Sequence, residues 1–153
     1  MSDFIVSARK YRPQTFDTVV GQKPITSTLK NAIKNSHLAQ AFLFCGSRGV
    51  GKTTTARILA KTINCNERTA ATEACDSCES CSSFNSGASL NVYELDAASN
   101  NSVEDIRNLI DQVRIAPQLG DFKVYIIDEV HMLSASAFNA FLKTLEEPPK
   151  HAI

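Results

Sequence analysis

The chain has 153 residues, 43% of them hydrophobic, and sixteen Lys and Arg balance sixteen Asp and Glu to a formal net charge of zero. That length suits one domain with a real core, and a neutral total argues neither for nor against nucleic acid, since a local basic patch can hide in it. No apolar run approaches the roughly 18 residues of a membrane span and Met1-Ser-Asp-Phe-Ile-Val6 is not signal-like, so a soluble intracellular protein is expected, whose five cysteines stay out of disulfides.

From Ser7 to Gly21 the chain reads as irregular, broken by Pro13 and Gly21. Pro24 suits the first turn of a helix, and Ile25, Leu29, Ala32 and Ile33 share one face, predicting a helix over roughly 23–35. Ala41-Phe-Leu-Phe-Cys45 is a short apolar run that reads as a buried strand, with Cys45 a small core residue.

Gly46-Ser47-Arg48-Gly49-Val50-Gly51-Lys52-Thr53 then matches G-x-x-x-x-G-K-[ST]. Glycines let the backbone N–H groups fold around a phosphate in front of a helix N-terminus; Lys52 is suited to the β- and γ-phosphates and the Thr53 hydroxyl to Mg²⁺. Ala56, Leu59, Ala60 and Ile63 recur at helix spacing, so the loop joins a strand to a helix, as this chemistry requires. The segment predicts an ATP or GTP site. No N-K-x-D tetrapeptide for guanine occurs, which favours ATP.

Cys65, Cys75, Cys78 and Cys81 follow in C-x₉-C-x₂-C-x₂-C spacing. Two-residue gaps fold pairs of sulfurs onto one ion, and four thiolates complete a tetrahedral, structural zinc site. The stretch around them is polar and builds no core alone, so a metal staple would explain its folding. An iron–sulfur cluster is the second reading and free thiols the third. The region to Ser89 interrupts the α/β rhythm as an insertion.

Leu90 to Asp96 is the next strand. Ser102 with Asp105 forms a capping box, and Ile106, Leu109, Ile110 and Val113 continue that helix. Pro117 and Gly120 mark a loop before the strand Lys123-Val-Tyr-Ile-Ile-Asp128, which ends in Asp128-Glu129. An aspartate there suits Mg²⁺ and a following glutamate suits the general base for an attacking water; a solvated turn is the competing reading. Ser134 caps a last helix with the face Phe138, Phe141, Leu142 and Leu145, ended by Pro148-Pro149. The Phe138/Phe141 stripe reads as core, and His37, His131 and His151 as packed or solvated, although His131 could couple nucleotide state to a neighbour. Strands alternating with helices predict an α/β fold with a mainly parallel sheet and ligand at the strand C-termini.

Taken together, these motifs resemble the γ/τ-type ATPases of the bacterial DNA polymerase III clamp loader, within the AAA+ class. The matching stretches are Ala8-Arg-Lys-Tyr-Arg-Pro-Gln-Thr-Phe16, Val19-Val-Gly-Gln22, the phosphate loop, the four cysteines, Glu94-Leu-Asp-Ala-Ala-Ser99, Val124–Leu133 and Phe138–Pro149. The resemblance implies a P-loop AAA+ nucleotide-binding domain over 1–153, with a four-cysteine zinc-binding insertion at about 64–89. It assigns Lys52 to phosphate, Thr53 and Asp128 to Mg²⁺, Glu129 to the catalytic base, and Tyr11, Arg12, Pro13 and Val20 to the adenine, where a hydrophobic brace is the alternative. It implies ATP, Mg²⁺ and Zn²⁺ as cofactors, and a cytoplasmic hetero-oligomer of loader subunits that opens a sliding clamp and places it on primer–template DNA at the replication fork. In that family polymerisation belongs to another subunit. A helicase-like DNA translocase is the alternative function, and a zinc-dependent interaction module with a silent nucleotide site a further one.

The resemblance also implies that a fourth strand, lying between 41–45 and 123–128, would begin near Ile153, with a fifth strand and a helical lid after it. For a C-terminally truncated stretch it implies the motifs of an ATPase with negligible turnover alone. It further implies a gap, direct pairing of the two strands, or strand exchange between copies at the fourth strand's position.

Overall fold

A computed structural model describes residues 7–153; Met1–Val6, with their expected lack of a signal pattern, lie outside the described residues. The elements in order are α1 (Ser7–Lys10), a 3₁₀ turn (Phe16–Thr18), α2 (Lys23–Lys34), α3 (Lys52–Ile63), α4 (Glu79–Asn85), β1 (Val92–Asp96), α5 (Val103–Val113), β2 (Val124–Asp128), a second 3₁₀ turn (Val130–Met132) and α6 (Ala135–Glu146).

β1 and β2 pair in parallel, in register from Val92↔Val124 to Asp96↔Asp128. Parallel strands need a crossover, and α5 supplies it. The pairing puts the carboxylates of Asp96 and Asp128 at the same end of the sheet. The Ser102 hydroxyl accepts the Asp105 N–H at 3.1 Å and the Asp105 carboxylate accepts the Ser102 N–H at 3.2 Å, closing the expected capping box at the start of α5. Ser134 caps α6 through its side chain alone, accepting the Ala137 N–H at 3.2 Å.

Side chains of β2 alternate between two apolar clusters, as the two-residue period of a strand dictates. Val124 and Ile126 join Phe16, Val19, Leu29, Ile33, Ile58, Leu59 and Ile63 on one face. Tyr125 and Ile127 pack against Ile106, Leu109, Ala137 and Phe141 on the other. Both faces are thus covered by helices, the usual condition of parallel strands.

α3 is held against β2 at both ends. At its N-terminus the Thr53 hydroxyl donates to the Asp128 carboxylate at 2.9 Å. Beyond its C-terminus the Asn64 amide exchanges two hydrogen bonds with the Phe122 backbone, each 2.9 Å. Helix and strand therefore run antiparallel, and their lengths match: about 17 Å of helix from Thr53 to Asn64 against about 20 Å of strand from Phe122 to Asp128.

Several expectations need correction. Ala41–Cys45 is not a strand: it forms no ladder, Leu43 is 77% exposed, and Cys45 is exposed rather than in the core. A strand needs a partner backbone, and the free edge of β2 instead meets His151–Ile153, through Lys123 N–H to His151 C=O at 2.7 Å and Tyr125 N–H to Ile153 C=O at 2.9 Å. Lys123 and Ala152 form a parallel bridge. Between 41–45 and β2 lies a cavity of about 790 Å³, walled by Phe42, Phe44, Val124, Ile126 and Ile153 among others. Among the described residues 41–45 and β2 do not pair directly, and the edge of β2 is taken up by His151–Ile153.

On α2, Thr26 is buried while Ile25 is 47% exposed. On α6 the buried residue is Ala137, packed with Ala140 and Phe141, and Phe138 and Leu145 face solvent. The short helices α1 and α4 fall in stretches whose sequence is irregular or polar.

Candidate functional site: a phosphate loop, an acidic strand end and a cysteine cluster

The loop from Gly46 to Thr53 turns through left-handed backbone at Gly49 (φ 83°) and Gly51 (φ 90°), a region that side chains disfavour. Gly51 is the N-cap of α3, so the unpaired N–H groups of the first helical turn open beside the loop. The Lys52 ammonium spans the loop, donating to the carbonyls of Gly46 and Ser47 at 2.9 Å each.

Asp128 ends β2. One of its carboxylate oxygens accepts the Thr53 hydroxyl and the other accepts the Glu129 N–H at 3.0 Å. Glu129 takes up left-handed backbone at φ 53°, a conformation that for a non-glycine residue costs energy and concentrates at functional sites. Its carboxylate, half exposed, lies 3.3 Å from the His131 ring, which faces solvent. Lys52, Thr53, Asp128 and Glu129 line the same cavity of about 790 Å³, with Gly46, Arg48 and His131. Ala98, just past β1, joins that wall; in the sequence it was marked by its strand-end position under parallel topology and by the Glu94–Ser99 stretch that carries the resemblance.

A second cavity of about 540 Å³ lies on the other side of 41–45, between Gln22, Pro24 and Thr28 of the α2 region and Val50, Gly51 and Thr55 of the loop and α3. Tyr11 and Val20 are 75% and 92% exposed, and neither they nor Arg12 and Pro13 enter the wall of either cavity. His151 is packed, its ring within 2.9 Å of the Val113 carbonyl.

The sulfurs of Cys65, Cys75, Cys78 and Cys81 lie within 4.8 Å of one another. Bonds of about 2.3 Å to one tetrahedral ion set sulfur separations near about 3.8 Å, so the four side chains fit a single metal. Backbone N–H groups already serve the sulfurs: Cys75 donates to the Cys65 sulfur at 3.2 Å and Cys78 to the Cys75 sulfur at 3.3 Å. Hydrogen bonds from the backbone, Ser77 first and then Cys78, bring the Cys75 thiol down to about 6. Burial opposes charge on Cys78, yet hydrogen bonds from the Cys81 and Asn66 backbone hold it below the ordinary thiol range. Burial pushes Cys65 and Cys81 upward. A divalent ion would settle all four as thiolates.

The segment around the cluster is polar in sequence, but two of its acids anchor it rather than solvate it. Asp76 pairs with the buried Lys61 of α3, and Glu73, 7% exposed, reaches the N-terminal segment. Neither residue carries a motif or a periodic pattern that could reveal it in advance.

A family model described as DNA polymerase III, delta subunit, matches residues 21–153. Among curated proteins, a DNA polymerase III subunit tau of Bacillus subtilis is 53% identical over 145 residues, covering 95% of this chain and 26% of that protein. The Escherichia coli subunit tau is 53% identical over 146 residues, 95% of this chain and 23% of that protein. A subunit gamma of Buchnera aphidicola is 46% identical over 149 residues, 97% of this chain and 40% of that protein. The chain thus spans about a quarter of the two tau subunits.

Proposed function

The chain belongs to the family described as DNA polymerase III, delta subunit, and from that premise we propose that it is the nucleotide-binding part of a clamp-loader ATPase of the AAA+ class. The observation that carries this reading is the 2.9 Å contact of Thr53 with Asp128, in a cavity that Lys52 and Glu129 also line. Gly46–Thr53 would cradle the phosphates of ATP, and Lys52 would give its ammonium to the β- and γ-oxygens. Thr53 and Asp128 would hold Mg²⁺, which when bound neutralises charge on those oxygens. Glu129 would orient a water on the γ-phosphorus and take its proton as the new P–O bond forms and the bond to the β-phosphate oxygen breaks, releasing ADP and phosphate.

On the nucleoside side, the cavity between α2 and the loop suits the base and ribose. Tyr11, Arg12, Pro13 and Val20, on the segment leading into α2, line neither cavity in this structure and would have to close over the base when nucleotide binds. The four cysteines would hold one structural Zn²⁺ in an insertion over about 64–89. In the whole protein we read this unit as working with other loader subunits, a sliding clamp and primer–template DNA, in the cytoplasm at the replication fork. Among the described residues no helix is long and apolar enough to cross a membrane.

Glu129→Gln in the full-length protein should leave ATP binding nearly unchanged and slow turnover about 10²–10⁴-fold, whereas Lys52→Ala should weaken binding itself. A glutamine variant that turns over at the parental rate would overturn the assigned base. Stimulation by a clamp ring with primed template is expected; stimulation by long single strands alone would favour a translocase.

A further inference from the structure

We propose that Glu73 is a positioning residue that ties the cysteine cluster to the nucleoside side of the nucleotide pocket, so that the grip on the nucleoside depends on an intact cluster. The proposal rests on the nucleotide-binding reading above. Glu73 is buried, and its carboxylate receives three donors: the Phe16 N–H at 3.0 Å, the Asp17 N–H at 3.1 Å and the Lys30 ammonium at 2.9 Å. A carboxylate is taken out of water at this cost only where such donors replace the solvent. Burial works against the charge of Lys30, but its hydrogen bonds to Asp17 and Glu73 outweigh that and raise its pKa.

Two separate structures meet at this residue. On one side Glu73 ends a tight turn closed by Thr69 N–H to Glu73 C=O and Thr72 N–H to Thr69 C=O, each 2.9 Å, with Thr72 at φ 60°. That turn is strung between Cys65 and Cys75, which are themselves joined by the Cys75 N–H to the Cys65 sulfur. The cluster therefore sets where the carboxylate sits. On the other side Phe16, 1% exposed, is packed with Val19, Leu29 and Ile33, and Lys30 belongs to α2. The start of α2, with Gln22 and Pro24, walls the cavity facing Val50 and Thr55. The phosphate loop is held separately, through Thr53 and Asp128. Loosening Glu73 should release the α2 wall and leave the phosphate cradle in place.

The test measures binding of ATP and of inorganic tripolyphosphate by the full-length protein, with zinc content followed by elemental analysis. Coupling between sites is typically about 5–150-fold. Glu73→Ala should weaken ATP binding roughly tenfold within that range and leave tripolyphosphate binding unchanged. Glu73→Gln, which keeps a single acceptor oxygen, should fall between. Stripping the metal from the parental protein should produce the same selective loss, and stripping it from Glu73→Ala should add little, since the link is already cut. Unchanged ATP binding in Glu73→Ala overturns the proposal, as does an equal loss of ATP and tripolyphosphate. A parental protein that binds neither probe overturns the nucleotide-binding reading itself.

Discussion

Asn64 and Phe122 behave as two strands of one residue each: the Asn64 side-chain amide donates to the Phe122 carbonyl and accepts the Phe122 N–H, both at 2.9 Å. Asn64 is 3% exposed, and the loop closes upon it at Gly120 (φ 83°), where a Cβ would stand 2.8 Å from the Asn64 side-chain oxygen. The pair fixes the far end of α3 against the start of β2, and so sets the register in which Thr53 meets Asp128 at the other end.

Asn64→Ala leaves a backbone donor and an acceptor without partners, at a cost of about 1–3 kcal/mol. Asn64→Asp should be destabilising as well, because a carboxylate cannot donate to the Phe122 carbonyl. Urea unfolding midpoints check both. A midpoint unchanged in Asn64→Ala would show that water replaces the amide at no cost.

One zinc per chain is expected by elemental analysis, with Cys65, Cys75, Cys78 and Cys81 protected from thiol reagents and Cys45, which is exposed, reactive. Cys81→Ser, at a fully buried position, should lose the metal, and Cys45→Ser should keep it. Iron in place of zinc, or four freely reactive cluster thiols in the native protein, would overturn the assignment.

Tyr125 stacks on Tyr93 with ring centroids 5.3 Å apart, and its hydroxyl is buried with no hydrogen-bond partner among the described residues. Burial, with Tyr93 beside it, pushes its phenol up to about 12. An unfolded tyrosine titrates near about 10, so between those values the folded state binds the extra proton and unfolding becomes easier as pH rises. Stability should therefore be flat on this account below about pH 10 and fall from there to about 12. Tyr125→Phe should remove that part of the alkaline decline and, by deleting an unpaired hydroxyl, leave stability at neutral pH equal or up to about 1 kcal/mol higher. Denaturant titrations of both proteins across the alkaline range decide it.

Features that depend on a few consecutive residues could be read from the sequence. The left-handed turns at Gly49 and Gly51 need glycines at fixed places; the caps at Ser102 and Ser134 need one side chain and the N–H three residues on; Cys75, Cys78 and Cys81 need only two-residue gaps to reach one another, with Cys65 a nine-residue gap before them. Helix faces were legible too, although their edges were not: the apolar stripe of α6 was right in period, but packing against α5 selected Ala137 and left Phe138 in solvent.

What tertiary structure alone decided lies between residues far apart in the chain. Ala41–Cys45 has the composition of a strand, yet a strand exists only as a ladder, and no backbone pairs with it among the described residues. Glu73 was one more charge in a polar stretch until folding brought Phe16 and Lys30, 57 and 43 positions earlier, to its carboxylate. Asn64 gave no sign of Phe122, 58 positions later. A local rule fixes which groups a residue can offer; which distant groups accept the offer depends on how the whole chain closes, and there the loss of solvent makes each such pairing obligatory.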